Sequence, residues 1–285
     1  MMLARYGLLL SLCVPIAAAP YDSISPNDNQ DLHQNPQEHH VSRRAEDFYL
    51  RIMPLGASIT KGNPAAPGTN GNGYRKDLRD KLVSDGWKVN MVGSQPFGKM
   101  ADNQTEGYPG FKVAQVQNSA SPSIAKYKPN LILINAGTND AVKRDNIAGV
   151  HTRMEKLILD CFAKSPNTVI ILSTLIPNGQ ANKEVQQVNA QYRALAKDMK
   201  GRGLHVMLAE MDNGFITLKN DIWTEPDGTR THPNVGGFKK MATVWGHAID
   251  AVLKEDGWLK APTKVSSKNG KPRAKSPGGG NENGN

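Results

Sequence analysis

Five short, mainly apolar runs, each followed by a stretch with helical spacing, constrain this chain more than any other feature. The runs are Leu50–Leu55, Trp87–Val92, Leu131–Asn135, Thr168–Leu175 and Leu204–Ala209. The stretches between and after them are Gly73–Asp85, Lys112–Ser119, Asp145–Ala163, Lys183–Lys200 and Val235–Leu253. A strand with one wet face alternates apolar and polar residues, whereas the central runs are almost unbroken, as in Val169-Ile170-Ile171-Leu172. Strands that read this way are buried on both faces, the signature of a parallel sheet covered by helices. The expectation is an α/β chain with three layers, α/β/α, around a five-stranded parallel sheet. In such sheets ligands bind beyond the carboxyl ends of the strands, near the point where strand order reverses. Chemistry is therefore expected just after the first strands and just before the last helix.

The ends read differently from the middle. Of 285 residues, 38% are hydrophobic and 6% aromatic, and the shortage of apolar residues is concentrated at the two termini. Residues 1–19 carry Arg5, an apolar stretch Tyr6–Ile16 and the small residues Ala17-Ala18-Ala19, the pattern of a secretory signal peptide. Residues 20–44 are rich in Asp, Asn, Gln, Pro and His and end in Arg43-Arg44, so they read as a disordered pro-segment with a dibasic processing site. His33, His39 and His40 in that tract lack the spacing of a metal site. Residues 45–260 hold all five runs and are read as one domain. Residues 261–285 carry Lys264, Lys268, Lys271, Arg273 and Lys275 against Glu282, with almost nothing apolar. That composition reads as a disordered basic tail. The net charge of +9 is shared between this tail and the middle, and is read as solvated charge, with no nucleic acid expected as partner. No run of 18 apolar residues is present, so no membrane span is expected. With the signal removed, Cys161 is the only cysteine, on an apolar helical pattern that marks it as a buried structural thiol. Asn103-Gln104-Thr105 is an N-glycosylation sequon, read as a surface loop.

Four segments stand where the sheet rule places chemistry. Leu55-Gly56-Ala57-Ser58 follows the first run, and its glycine lets the chain turn tightly enough to expose the Ser58 hydroxyl. Glu106-Gly107-Tyr108-Pro109-Gly110-Phe111 follows the second, a glycine loop whose backbone N–H groups can approach a ligand. Ala136-Gly137-Thr138-Asn139-Asp140 follows the third: Asn139 offers an uncharged NH2 donor, and Asp140 suits a capping role. Asp227-Gly228-Thr229-Arg230-Thr231-His232-Pro233-Asn234 precedes the last helix, and among the seven histidines His232 alone lies in a polar loop at that mouth. Taken singly, each has an ordinary structural reading as a cap or turn. Together they fit acyl transfer. Ser58 is the nucleophile and His232 the general base and acid. The N–H groups of Ser58 and Gly110 with the Asn139 amide form an oxyanion hole.

On these residues the chain resembles the SGNH/GDSL hydrolases, over about Arg51 to Trp258. Ser58, Gly110, Asn139 and His232 fall where the four name-giving residues of that superfamily fall. The strings RIMPLGASIT, EGYPG, NAGTND and HPNVGGFKKMA are most similar to secreted, acetylxylan-esterase-like carbohydrate esterases. The resemblance implies a flavodoxin-like fold and an esterase that needs no metal or cofactor. Two positions depart from the family. Ala57 stands where Gly-Asp-Ser has its acid. Thr229 stands three residues before the histidine, where the family carries an aspartate. Two additional residues, Arg230-Thr231, would explain the second, with Asp227 as the acid that orients His232 if the loop bulges. Otherwise a backbone carbonyl or Glu225 must serve, or the enzyme works as a dyad.

The resulting expectation is a secreted, extracellular, monomeric serine esterase. It acts on acetylated carbohydrate such as xylan or on another small ester, with Tyr108, Phe111 and Trp223 as sugar-stacking edges. A lipid esterase or lysophospholipase of the same superfamily is the second reading. A carbohydrate-binding relative without catalysis is the third.

Overall fold

The computed structural model describes residues 48–63 and 66–265. The signal pattern, the segment 20–44 with its dibasic pair and histidines, and the tail beyond Val265 lie outside the described residues. The elements in chain order are β1 (Leu50–Gly56), α1 (Ser58–Lys61), α2 (Arg75–Ser84), β2 (Val89–Met91), β3 (Glu106–Gly107), α3 (Val113–Tyr127), β4 (Leu131–Asn135), α4 (Thr138–Val142), α5 (Val150–Lys164), β5 (Val169–Ser173), α6 (Asn182–Gly201), β6 (Val206–Ala209), α7 (Leu218–Asp221) and α8 (Val235–Leu253). A single turn of 3-10 helix, Ile147–Gly149, precedes α5.

All strand pairs are parallel, in the order β2-β1-β4-β5-β6. The short β3 also pairs with β1: β2 occupies the first half of that edge, from Leu50 to Ile52, and β3 the second, opposite Leu55 and Gly56. The five expected strands are all present, and β3 is the addition. Two residues between glycine-rich turns give no periodicity to read.

Successive strand residues feed opposite layers. Met53, Leu55, Ile132, Ile134, Ile170 and Leu172 pack with α3, α5 and α6. Leu50, Ile52, Leu131, Leu133, Val169 and Ile171 pack with α2 and α8. Because both sets are apolar, the alternation is invisible in the sequence although it organises the whole core. Each such side chain contributes about 1.5–3 kcal/mol by leaving water. Helix α5 shows its helical spacing directly, burying Val150, Met154, Leu157, Ile158 and Cys161. Burial pushes the Cys161 thiol well above its ordinary pKa, in keeping with a structural role.

Several helices differ from expectation. Helix α3 runs on to Tyr127 through Pro122, which would be expected to end it. Pro122 faces solvent, so the unpaired carbonyl one turn earlier can be hydrated. Helix α5 starts late because Asn146 adopts a left-handed conformation, with φ 39°. The one-turn α1 and the short α4 are too brief to carry a periodic pattern. The sequon is less open than expected: Asn103 Nδ2 donates to Gly98 O at 3.1 Å, and the Thr105 hydroxyl to Pro54 O at 3.1 Å. Within the segment read as a tail, Thr263 O accepts from Arg51 Nη1 at 2.7 Å.

Candidate active site

The site assembles where β1, β3 and β4 end side by side. Gly56, the last residue of β1, lies opposite Gly107 of β3 and Asn135 of β4. A Cβ at Gly56 would stand 2.0 Å from Asn135 O and 2.4 Å from Thr60 Oγ1, so only glycine allows the strands and the following turn to meet. The chain then turns at once into α1, whose first residue is Ser58. Thr60 Oγ1 fastens that turn to Asn135 O at 3.3 Å.

Ser58 Oγ lies 2.8 Å from His232 Nε2. His232 Nδ1 lies 2.8 Å from Glu225 Oε1. A carboxylate only accepts, so Nδ1 carries the proton and Nε2 is left to accept from the serine hydroxyl. The His232 and Glu225 side chains are 12% and 13% exposed, enough to admit a substrate yet mostly shielded from water.

The carboxylate at His232 Nδ1 is therefore Glu225, the alternative the sequence offered, and the expectation that Asp227 faces His232 is corrected. The reason is a small hairpin. Ile222 and Pro233 form an antiparallel bridge, and Trp223 N–H donates to His232 O at 2.9 Å. Trp223 is thus opposite His232, and Glu225, two residues on, projects from the same side as the imidazole. The hairpin tip is a turn: Gly228 N–H donates to Glu225 O at 2.9 Å. Asp227 Oδ1 is consumed within it, accepting from Thr229 N at 2.9 Å and Thr229 Oγ1 at 2.8 Å. Those bonds hold the exposed Asp227 carboxyl below its ordinary pKa. The extra pair Arg230-Thr231 fastens the histidine arm to the loop after β5. Gly179 N–H donates to Arg230 O at 2.9 Å, and Asn178 Nδ2 to Thr231 Oγ1 at 3.2 Å.

The glycine loop after β3 is a β-turn with Pro109 and Gly110 at its centre. Phe111 N–H donates to Tyr108 O at 3.2 Å, and Gly110 has φ 79°, the conformation a type II turn requires at its third position. Every side of this turn is tied down. Tyr108 N–H donates to Gly56 O at 3.0 Å. Asn139 Nδ2 donates to Phe111 O at 2.9 Å, and Lys143 Nζ to Gly110 O at 3.1 Å. The Tyr108 hydroxyl donates to the Glu106 carboxylate, which is fully buried and also accepts from Ser94. Burial raises the Glu106 carboxyl above its ordinary pKa, and the bonds from Tyr108 and Ser94 oppose that rise. The structure thus brings Gly110 and Asn139 together and fastens their loop to the strand that leads to Ser58. Asp140 takes the capping role expected of it: Oδ2 accepts from Val113 N at 3.0 Å, at the start of α3, and Oδ1 meets Arg153 at 3.0 Å.

The three aromatic residues expected at the substrate differ in placement. Tyr108 and Phe111 stack on each other, with centroids 5.4 Å apart and planes 13° apart, and both pack against the core. Trp223 is half-buried beside His232. Among the described residues no group of three or more His, Cys, Asp or Glu could hold a metal ion. No helix among them is long and apolar enough to cross a membrane.

The chain is similar to several known esterases. A multidomain esterase of Ruminococcus flavefaciens is 28% identical over 238 residues, covering 72% of this chain and 29% of that protein. The chain thus spans less than a third of that relative's length. A family 3 carbohydrate esterase of Clostridium thermocellum superposes with a TM-score of 0.62 at 24% identity, over 72% of this chain and 98% of that one. A family 3 carbohydrate esterase of Talaromyces cellulolyticus gives 0.61 at 20% identity, over 72% and 99%. These two likenesses establish the SGNH hydrolase fold. The model of the GDSL-like lipase/acylhydrolase family matches residues 55–240, from the end of β1 into α8, and the chain belongs to that family.

Proposed function

We propose that this protein is a secreted serine esterase that removes acetyl groups from carbohydrate, with xylan as the leading substrate. The observation that carries the chemistry is the relay Ser58–His232–Glu225, with 2.8 Å at each contact. Ser58 Oγ attacks the ester carbonyl carbon while its proton passes to His232 Nε2. Glu225 keeps Nδ1 protonated and stabilises the imidazolium that forms. The oxygen of the tetrahedral intermediate gains charge beside three donors. The Ser58 N–H opens α1 and has no acceptor within the helix. The Gly110 N–H is presented by its pinned turn. Asn139 spends one amide hydrogen on Phe111 O and keeps the other for the oxyanion. Collapse expels the alcohol, which takes the proton from Nε2. Water then attacks the acetyl-Ser58 ester by the same route, and Ser58 recovers its proton.

The carbohydrate part of this reading is supported by the names of the two structural neighbours, both carbohydrate esterases, and the acetyl part by the motif strings that resemble acetylxylan esterases. Secretion is supported by the signal pattern in residues 1–19. The test is a set of initial rates on p-nitrophenyl acetate, butyrate and octanoate, followed by acetate release from acetylated xylan. Acetate should be the preferred acyl group. Ser58→Ala should lose on the order of 10⁴–10⁶ in kcat, as seen when a serine nucleophile is removed. A preference for octanoate would move the substrate to lipids. No turnover by folded protein would leave a binding protein.

A further inference from the structure

The aromatic edges expected to hold a sugar are partly spent, since Tyr108 and Phe111 cover each other. A different surface, joined through the chain to the elements that carry Ser58 and His232, has the chemistry they lack. A cleft of about 180 Å³ lies between residues 68–73, the start of α2 and the start of α8. Both walls grow from the catalytic elements. On one side, Arg75 Nη2 bonds Lys61 O at 2.8 Å and Gly71 O at 3.1 Å, tying the loop to the end of the one-turn helix that carries Ser58. On the other, Val235 lies three residues beyond His232 and is 37% exposed.

The lining is two-faced. Val235 offers an apolar edge, with Phe238 beneath it. Asn70, Lys76, Asp77 and Lys239 offer donors and acceptors. Lys76 is paired with Asp80, whereas Lys239 has no ion pair among the described residues. A pyranose ring has the same division, with C–H groups on its faces and hydroxyls around its rim. The volume corresponds to roughly six water molecules at about 30 Å³ each, room for one ring. The loop is also set in advance. Asn70 holds φ 53°, Lys99 N–H bonds its carbonyl at 3.2 Å, and Met100 N–H bonds Asn72 Oδ1 at 2.9 Å. A wall fixed before binding loses little entropy when a ligand arrives.

We propose that this cleft is a subsite for the carbohydrate part of the ester. It holds a neutral, polyhydroxylated pyranose unit next to the acetylated one, with Asp77 accepting from its hydroxyls and Asn70 and Lys239 donating to them. This rests on the acetyl-carbohydrate reading above, and two readouts separate the failure of one from the failure of the other. The first is the ratio of kcat/KM on acetylated xylo-oligosaccharides to kcat/KM on p-nitrophenyl acetate, for wild type, Asp77→Ala and Lys239→Ala. The second is the set of backbone amide shifts in wild type titrated with unacetylated xylotriose. The ratio should fall about fivefold to tenfold in each variant, and the shifts should cluster at Thr69, Asn70, Asp77 and Lys239. A ratio that moves less than twofold, with shifts elsewhere or absent, overturns the subsite even if the wild type deacetylates xylo-oligosaccharides well. Shifts at the cleft without deacetylation keep the subsite and overturn the substrate reading. Neither binding nor deacetylation overturns both.

Discussion

Replacing Glu225 by Gln is the sharpest perturbation of the relay, because it changes charge without changing shape. Glu225 Oε1 stands 2.8 Å from His232 Nδ1 in a setting where both side chains are only 12–13% exposed. When His232 takes the serine proton, an ion pair forms across that contact. For charges about 4 Å apart at an effective dielectric constant of 20, the attraction is about 4 kcal/mol, on the order of 10³ in rate. Residual exposure lowers this figure, and a second effect raises it. A glutamine can present its NH2 to Nδ1, which stabilises the tautomer with the proton on Nε2, and a wrong tautomer costs about 10⁴ in a comparable triad. The expected loss for Glu225→Gln is therefore about 10²–10⁴ in kcat on p-nitrophenyl acetate, with KM within about threefold. Asp227→Asn is the control. Its Oδ1 accepts from Thr229 in the turn, an interaction asparagine reproduces, so kcat should change less than about threefold. Circular dichroism and thermal melts establish that both variants are folded. The reasoning is refuted if Asp227→Asn loses more activity than Glu225→Gln, or if Glu225→Gln keeps more than a tenth of wild-type kcat.

Three further outcomes follow from the same geometry. Asn139→Ala removes an oxyanion donor and should lower kcat by about 10²–10³ with little change in KM; an unchanged kcat would remove Asn139 from the mechanism. Gly56→Ala forces a Cβ to within 2.0 Å of Asn135 O, so denaturant unfolding should show a loss above about 4 kcal/mol or no folded protein at all. For Glu106, burial raises the carboxyl pKa in the folded state above 4.5. The folded protein then binds the proton more tightly than the unfolded chain, so this group's contribution to stability falls as pH rises from about 4.5 through the raised value. Glu106→Gln should remove that fall, so the stability of the variant relative to wild type should increase with pH across the window; a flat difference would refute it.

The parts of this fold legible in the sequence are those written into contiguous residues. The strands were legible because burial on both faces demands mostly apolar runs, clearest in β4 and β5, and α8 was bounded by the His-Pro-Asn that caps it, with Asn234 Oδ1 accepting from Gly237 N at 2.9 Å. Ser58, Gly110, Asn139 and His232 could be placed because each lies at a strand end or directly before that helix. Glu225 stood in the sequence only as an alternative to Asp227, and the choice between them was hidden because it is a property of pairing, not of spacing. Which side of the 222–233 hairpin a carboxylate faces depends on Trp223 lying opposite His232, and a polar hairpin has no apolar alternation to reveal its register. One signal was present all the same. Pro226-Asp227-Gly228 is turn chemistry, and an aspartate that closes a turn is poorly placed to orient a histidine.

The same hairpin sets a carboxylate against the imidazole although its tip points away from it. Arg230 and Thr231 stand between turn and histidine, and Asp227 is fixed at the tip by its bonds to Thr229. Thr231 and the Arg230 carbonyl bond the loop after β5, so that arm is held to the sheet by contacts at residues 178 and 179. The carboxylate at Nδ1 comes from Glu225 on the opposite arm, two residues from Trp223, where pairing sets its direction. It is defined by a position in space that the pairing of the two arms creates, not by its distance from His232 along the chain.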